Sequence, residues 1–463
     1  MILNDLRFLK LIKKMKQLII YSILFLTSNE FVLAQKIKPE DLFLSLFQFQ
    51  EEKALENVMD QIEEQWEDSY STMVIESITL QRNPGVSTRL LEILYKKTDA
   101  PSSYDLNELY EWLWEKDEDL IPNYHQFKAE MYRLIDNRFE DYFLDHQEER
   151  TIRMDEIRWG GVLQDGIPPL RNPAMVATSE ASYLEDDHVV FGMEINGDSR
   201  AYPKRILAWH EMFVDEVGGV PVAGVYCTLC GTVILFETEL NGTNYELGTS
   251  GFLYRSNKLM YDKATQTMWN TIWGEPVLGP LVGKGIKLNH LSVITTTWRA
   301  WKERHPDSQV LSLNTGHVRD YREGKAYEQY FSTDQLMFNT PFKDRRLKNK
   351  EEVLALRFNE TRDEQLAISS SFLNKNPVYE NELGGVSFVV LTDESGANRV
   401  YEKGTRSFSS FDGNTAIDES GITWKLTESA LISDSGEELS RLPYHRSFWF
   451  GWLAAYPNTK LIK

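Results

Sequence analysis

The chain has 463 residues and a formal net charge of −20 at pH 7. This acidity argues against a nucleic-acid-binding protein and against a protein that docks on anionic membrane surfaces, because both need positive charge. With 42% hydrophobic and 12% aromatic residues, the chain can build two or three packed domains of roughly 100–200 residues each.

Residues 1–34 have the pattern of a secretory signal peptide. A lysine-rich start precedes the apolar run of residues 18–26, and Val32-Leu33-Ala34 offers a small-x-small cleavage site. The apolar run is too short to span a bilayer, which needs about 20 apolar residues. We therefore expect an exported mature chain, periplasmic or extracellular, with no integral membrane segment after signal removal and in a compartment that tolerates disulfides.

Residues 35–155 are predicted to form an acidic helical domain. Leu55, Val58, Met59 and Ile62 fall on one helical face with glutamates between them. Similar stripes recur near residues 90–94, 109–113 and 131–139, and Asn83-Pro84-Gly85 separates two helices. The domain contains no catalytic pattern, so a scaffold or a docking site for a protein partner is expected.

From residue 156 onward the sequence predicts a β-rich region. Two runs around the turn Asn196-Gly197 indicate a hairpin. Residues 220–226 and 233–236 are predicted strands, and residues 297–304 a helix with a threonine cap. The fold class is therefore predicted to be α+β, a helical domain followed by a β-rich unit.

The β-rich unit has the signs of an internal duplication. The spacing of Trp298 and Trp301 before His305-Pro306 is the same as that of Trp449 and Trp452 before Tyr456-Pro457. We predict one copy over residues 156–345 and a second over 346–463, related by a pseudo-two-fold axis. With the copies aligned on their Gly-Gly pairs, the second copy lacks the cysteines, so it is expected to act as a structural partner.

The chemistry of the chain centres on its only two cysteines, in the run Tyr226-Cys227-Thr228-Leu229-Cys230-Gly231-Thr232. Such a pair can close a disulfide, relay electrons or bind a soft metal ion. Predicted strands flank the motif on both sides, which indicates a knuckle rather than the strand-to-helix turn of a thioredoxin site. The pattern leaves all three chemistries open.

A metal site at this knuckle needs further ligands, because only two thiolates are available. His210, in Trp209-His210-Glu211, is the best candidate third ligand to Cys227 and Cys230, and copper(I) or zinc would suit such a set. In a redox interpretation the same residues are catalytic, with His210 as base. Glu211 would orient the imidazole in either case.

Three further residues are candidates for contact with a small-molecule ligand that the sequence does not identify. Arg319 can clamp an anion through its guanidinium or can form an internal ion pair. Ser250 lies in Gly248-Thr249-Ser250-Gly251, which is not the Gly-x-Ser-x-Gly elbow of hydrolases, and Tyr226 adjoins Cys227. The alternative function is a non-enzymatic module that binds a glycan or a peptide and whose cysteines form a structural disulfide.

Several ordered motifs resemble one protein family. They are Asp165-Gly166-Ile167-Pro168, Arg200-Ala201-Tyr202-Pro203, Trp209-His210-Glu211, the cysteine motif, Gly248-x-Ser250-Gly251 and Arg319-Asp320-Tyr321. Together they resemble an uncharacterised bacterial and archaeal family, domain of unknown function three-one-seven-nine, over roughly residues 155–460. The sequence departs from the family pattern at Arg171 and Thr228. The resemblance implies a shared fold unit and no particular activity.

Overall fold

A computed structural model describes residues 37–144, 148–358 and 364–463. The predicted signal peptide lies outside these residues. Within them, 26% of the chain is helical and 32% is in strands, with the helices concentrated at the N-terminal end. The predicted α+β class is confirmed. No helix in the described ranges is both long enough and apolar enough to cross a membrane.

In the described part of the chain, seven α-helices precede the first strand, and five short α-helices lie among the strands. The helices are α1 (Pro39–Gln48), α2 (Glu52–Glu64), α3 (Tyr70–Leu80), α4 (Pro84–Lys97), α5 (Leu106–Trp114), α6 (Tyr124–Arg133), α7 (Glu140–Phe143), α8 (Lys204–His210), α9 (Trp298–Arg304), α10 (Glu328–Phe331), α11 (Ser370–Lys375) and α12 (Trp449–Ala455).

The predicted amphipathic faces account for most of the helical core. Leu55, Val58, Met59 and Ile62 of α2 are all buried, because the period of 3.6 residues places them on one side of the helix. Leu134 is an exception, since α6 ends at Arg133 and leaves this leucine 59% exposed. The helices form one continuous core with the sheet beside them, where Phe252 contacts the rings of several helical aromatic residues.

The strands run from Ile157 to the C-terminus. The first group is β1 (Ile157–Trp159), β2 (Leu170–Arg171), β3 (Met175–Ala177), β4 (Val189–Ile195), β5 (Asp198–Pro203), β6 (Met212–Val217), β7 (Val220–Cys227), β8 (Thr232–Glu237), β9 (Glu239–Leu240), β10 (Thr243–Asn244), β11 (Leu247–Tyr254), β12 (Asn257–Asp262), β13 (Met268–Asn270), β14 (Glu275–Leu278), β15 (Asn289–Leu291), β16 (Ile294–Thr297) and β17 (Gln309–Leu311). The second group is β18 (Glu352–Leu356), β19 (Leu366–Ser369), β20 (Val378–Leu383), β21 (Val386–Thr392), β22 (Asn398–Glu402), β23 (Phe408–Phe411), β24 (Thr415–Asp418), β25 (Thr423–Leu426), β26 (Ala430–Ser433), β27 (Glu438–Ser440), β28 (Tyr444–Phe448) and β29 (Lys460–Ile462).

The largest sheet joins the two predicted copies. Its strand order is β2-β6-β7-β8-β28-β18-β19-β29, with β15 also paired to β8. The junction is the antiparallel contact of β8 with β28, at Val233 and Arg446. Strand β8 therefore lies beside β28 of the predicted second copy, and the N-terminal helices pack on the separate sheet β1-β11-β12-β13-β14.

The predicted hairpin is confirmed as β4 and β5, with Asn196 and Gly197 at φ of 50° and 81°. These left-handed values match the twist of a two-residue hairpin turn. The predicted helix is α9, and its Thr297 side chain accepts a hydrogen bond from the backbone of Ala300. Both local predictions succeed because turn and cap residues act within a few positions of themselves.

The sheet β16-β4-β5-β17 and the strands β28-β18-β19-β29 have the same order and the same relative directions. A helix follows the first strand of each set. Trp301 Nε1 of α9 donates to Ser308 Oγ at 2.9 Å, and Trp452 Nε1 of α12 donates to Thr459 Oγ1 at 2.9 Å. The spacing of the tryptophans thus places one indole over each sheet. Each indole N–H is hydrogen-bonded to the residue just before the next strand of that sheet.

Gly192 of β4 provides a test of this packing. A Cβ atom at this position would lie 2.2 Å from the Trp301 ring, so we expect Gly192→Ala to lower the free energy of unfolding by about 1–3 kcal/mol, as overpacking does. Urea denaturation measures this loss. In a Trp301→Leu background the same methyl group has room, and its cost should shrink; an equal cost in both backgrounds would contradict the packing.

Candidate functional site

The cysteine motif forms the turn between β7 and β8. Cys227 is the last residue of β7 and pairs with Thr232, the first residue of β8. Gly231 adopts a φ of +59°, and a Cβ there would lie 2.7 Å from the Phe448 ring. The predicted strand-turn-strand knuckle is confirmed, and Gly231 is required both by its backbone conformation and by the close approach of the Phe448 ring.

The two thiols are close together but not bonded. Cys227 and Cys230 are free and buried, and the pair is near 3.5 Å apart. The structural disulfide, one of the predicted alternatives, is therefore not formed in this structure. Cys230 Sγ also lies 3.0 Å from the carbonyl oxygen of Ser256, so its proton can be donated either to that carbonyl or to Cys227.

The turn of the β11–β12 hairpin covers the thiols. Arg255 and Ser256 form this turn with φ of 49° and 65°, which is the geometry of a tight two-residue connection. The turn brings three groups to the sulfurs: the Ser256 carbonyl, the side chain of Asn257 beside Cys230, and the backbone N–H of Lys258 beside Cys227.

Lys258 also forms a buried ion pair with Glu211. Its Nζ lies 2.6 Å from Glu211 Oε2, and the two side chains are only 6% and 7% exposed. The other carboxylate oxygen accepts hydrogen bonds from Thr228 Oγ1 at 2.6 Å and from Tyr327 at 3.0 Å. Because every charge here is paired and hydrogen-bonded, the ion pair can persist inside the protein.

The backbone at Glu211 explains how it reaches this position. Helix α8 ends at His210, and Glu211 caps it in the left-handed region with a φ of 56°. Its carbonyl oxygen accepts a hydrogen bond from Tyr226 N–H at 2.9 Å, next to the cysteine motif. A non-glycine residue in this conformation costs on the order of 1–3 kcal/mol. The ion pair and the two hydroxyl contacts of its carboxylate offset that cost.

The surroundings shift the pKa values of the two thiols in opposite directions. Burial and the Glu211 charge act to raise the pKa of Cys227. The hydrogen bond from Cys230, the Lys258 N–H and the Lys258 charge outweigh them, so the pKa lies below its ordinary value. Burial, together with its contact with Cys227, raises the pKa of Cys230 well above its ordinary value. Cys227 is thus the better thiolate, and Cys230 holds its proton.

His210 does not join the cysteines. Its Nδ1–H donates to the Pro168 carbonyl at 2.9 Å, and its Nε2 accepts from the Tyr321 hydroxyl at 2.5 Å. Burial lowers the pKa of His210 to about 4, so the ring is neutral near pH 7. Among residues 37–144, 148–358 and 364–463, no three His, Cys, Asp or Glu side chains are placed to hold a metal ion. The predicted set of Cys227, Cys230 and His210 for copper or zinc is therefore not assembled.

The three predicted ligand-binding residues lie in separate surroundings. Arg319 is on an exposed loop and donates to the Val318 carbonyl. Ser250 is fully buried, and its Oγ donates to the Leu259 carbonyl at 2.7 Å, beside an irregularity in the β11–β12 pairing. Tyr226 is buried with its ring against Phe191, on the face of β7 opposite Cys227.

Sequence reasoning missed Lys258, Thr228 and Tyr327 as members of the site. One signal was present for Lys258, which precedes the apolar pair Leu259 and Met260 in a strand buried throughout. A lysine in such a run needs a buried partner of opposite charge. Tyr327 had no comparable signal, because it lies on an irregular segment distant in sequence.

The sequence model of the family described as "Protein of unknown function (DUF3179)" matches residues 164–459. The chain belongs to the DUF3179 family. This confirms the resemblance drawn from the motifs. All members of the thiol site, including Glu211, Lys258 and Tyr327, lie inside the region matched by DUF3179, whereas helices α1–α7 lie outside it. Comparison with curated proteins and with solved structures found no match.

Lys258→Met tests the buried ion pair of this DUF3179 site. It leaves the Glu211 carboxylate buried without its cation, and we expect the free energy of unfolding to fall by about 3–5 kcal/mol. The control is Lys263→Met, which removes a pair whose side chains are 39% and 54% exposed and should change stability by at most about 1 kcal/mol. Equal losses in the two variants, measured by urea denaturation, would show that burial of the pair has no energetic consequence.

His210 should make the protein sensitive to acid. Its pKa is about 4 when folded and near 6.5 otherwise, so the unfolded chain binds the extra proton between these values and stability falls as the pH drops through this window. We expect His210→Asn to flatten the fall of the unfolding free energy between pH 6.5 and 4, by at most about 1.4 kcal/mol per pH unit. Unfolding titrations at several pH values measure the slope, and an unchanged slope contradicts the prediction.

Proposed function

We propose that the protein is an exported thiol redox protein in which Cys227 and Cys230 cycle between dithiol and disulfide. The observation that carries this proposal is the asymmetry of the pair. One thiol is held toward its thiolate by an N–H and an ammonium group, and the other keeps its proton within contact distance. A nucleophilic thiolate beside a resolving thiol is the arrangement that dithiol redox chemistry needs.

The chemistry proceeds in two steps. The Cys227 thiolate attacks an electrophilic atom of the oxidant, forms a covalent bond to it and releases the first leaving group. Cys230 then loses its proton and attacks the Cys227 sulfur, which forms the intramolecular disulfide and releases the second leaving group. The two thiols together lose two electrons, and the oxidant gains them.

Lys258 and Glu211 have separate roles in this proposal. The Lys258 N–H and charge stabilise the thiolate before attack. Glu211 holds the ammonium group at 2.6 Å, and Thr228, within the motif itself, holds Glu211. Glu211 and Thr228 are positioning residues, because they act on the reacting sulfur through Lys258, whereas the Lys258 N–H contacts that sulfur directly.

The location and the duplication are parts of the same proposal. The signal-peptide pattern of residues 1–34 supports export to a compartment where a disulfide can persist.

The matching strand orders of the two halves support a duplicated unit with a pseudo-two-fold relation. In that alignment Gly451 replaces Ala300, and a Cβ at Gly451 would lie 2.9 Å from Cys230 Cβ. The second copy thus has a glycine where it covers the thiol.

The redox proposal predicts a reversible couple. Oxidation should join Cys227 to Cys230 with the loss of two hydrogen atoms per chain, and the potential should lie above about −300 mV, where structural disulfides are not found. Thiol alkylation and mass spectrometry after equilibration in glutathione buffers measure the couple. Cys227→Ser and Cys230→Ser should each abolish it.

Two outcomes would contradict the redox proposal. A pair that remains dithiol at every glutathione ratio has no redox role. A disulfide whose reduction potential lies below about −300 mV is a structural disulfide. The alternative function, a glycan- or peptide-binding module, requires that result.

A further inference from the structure

One side of the thiol pair is covered by residues 322–336, which we call the lid. The lid lies between β17 and β18 and contains the four-residue helix α10. Its Tyr330 hydroxyl donates to the Leu229 carbonyl at 2.7 Å, within the cysteine motif. Burial, together with the nearby sulfurs of Cys230 and Cys227, raises the pKa of Tyr330. Since the two cysteines are 0% and 2% exposed, a reagent reaches them only after a covering element moves away.

Two other covering elements are held in place by strand pairing. The β11–β12 turn, which carries Ser256, belongs to a five-stranded sheet in which β1 and β13 pair on either side. Phe448 is the last residue of β28 in the largest sheet, and helix α12 follows it with Trp449 and Trp452 fully buried. Moving either element would break hydrogen bonds of a strand ladder and expose a core, so both belong to the stable part of the fold.

The lid is bound to the rest of the protein by far fewer interactions. Among the described residues, no backbone-to-backbone hydrogen bond joins residues 313–347 to another segment of the chain. Within the lid, which the structure describes throughout, only Ala326 and Tyr330 are buried, and most of the other side chains are exposed. Exposed residues and few backbone hydrogen bonds characterise a segment that opens at a much lower free-energy cost than global unfolding.

Side chains of the helices anchor the chain on both sides of the lid. Before the lid, Trp209 Nε1 of α8 donates to the Asp320 carbonyl at 2.8 Å. After the lid, Asn339 Nδ2 donates to Glu111 of α5 at 2.6 Å. The lid therefore lies between two fixed points and can move while the rest of the segment stays in place.

Tyr327 connects the lid to the charged groups of the thiol site. It has a φ of 56° just before α10, a conformation that is unfavourable for a bulky side chain. Its hydroxyl donates to the Glu211 carboxylate at 3.0 Å. Opening the lid relieves that conformation and breaks this hydrogen bond. The ion pair of Glu211 with Lys258 lies between the end of α8 and β12, so the cation beside Cys227 remains in place when the lid is open.

We propose that the lid opens to admit thiol–disulfide exchange partners to Cys227, and that the closed structure is the resting state. This inference rests on the proposed redox function and specifies its regulation and its substrate class, with a disulfide as oxidant and a dithiol as reductant. In the open state the Cys227 thiolate attacks one sulfur of the partner disulfide, which forms a mixed disulfide and releases a thiolate. Cys230 then loses its proton to solvent and attacks the Cys227 sulfur, which releases the second thiolate. Solvent protonates both released thiolates, and two electrons have passed from the cysteine pair to the partner. A dithiol reverses these steps through the same opening.

The test measures the reaction of the reduced mature protein with dipyridyl disulfide, whose thiopyridone product is coloured, at urea concentrations below the unfolding transition. We expect a rate that changes little with urea, because opening the lid exposes little surface. Tyr330→Phe removes the hydrogen bond to the Leu229 carbonyl and should raise this rate by about twofold to tenfold. It should also accelerate reduction of the oxidised protein by dithiothreitol. The control is Tyr104→Phe, at a site that is 78% exposed on the helical domain, and it should change neither rate.

Two results would overturn the lid. A rate that rises with urea as steeply as global unfolding does shows that only unfolding exposes the thiols. Equal rates in the wild-type protein and in Tyr330→Phe show that the Tyr330 contact does not control access. The redox function is judged separately by the glutathione equilibration described above. A reversible couple together with either of these two results leaves the redox function standing, whereas the absence of a couple at every glutathione ratio removes both proposals.

Discussion

The buried ion pair of Lys258 with Glu211 is the interaction on which the thiol site depends. Two charges inside a protein must satisfy each other, because isolated charges in this environment are too costly. To meet this requirement, the β11–β12 hairpin must close over the β7–β8 turn, and the chain must leave helix α8 in a left-handed conformation at Glu211. The same closure places a lysine N–H and charge on Cys227.

The site is assembled from parts of the chain that are far apart in sequence. The first half contributes the cysteines and the ion pair, the segment after β17 contributes Tyr327 and Tyr330, and the second half contributes Phe448 and Gly451. Tyr330, Phe448 and Gly451 pack against the β7–β8 turn that contains the cysteines. This explains why a half without cysteines belongs to the site, since it excludes water from the thiols and strengthens the electrostatic interactions among them.

Short-range features were predicted well. The helical faces of α2, the Asn196-Gly197 hairpin, the Thr297 cap and the strands around the cysteine motif all follow from residue spacing and turn chemistry within a few positions. The structure does not bring His210 to Cys227 and Cys230, for a physical reason. His210 and Glu211 are adjacent in sequence, but the left-handed backbone between helix and strand turns their side chains to different sides.

Residue patterns along the chain were enough to predict the α+β order of elements, the family and one pair of thiols in a turn between strands. The burial of the pair, and the contact of Lys258 rather than His210 with Cys227, depend on the tertiary structure. The difference comes from the sequence separation of the residues that interact. Periodicity and turn residues record interactions between near neighbours, whereas the charge on Lys258 finds Glu211 only after two hairpins have packed together.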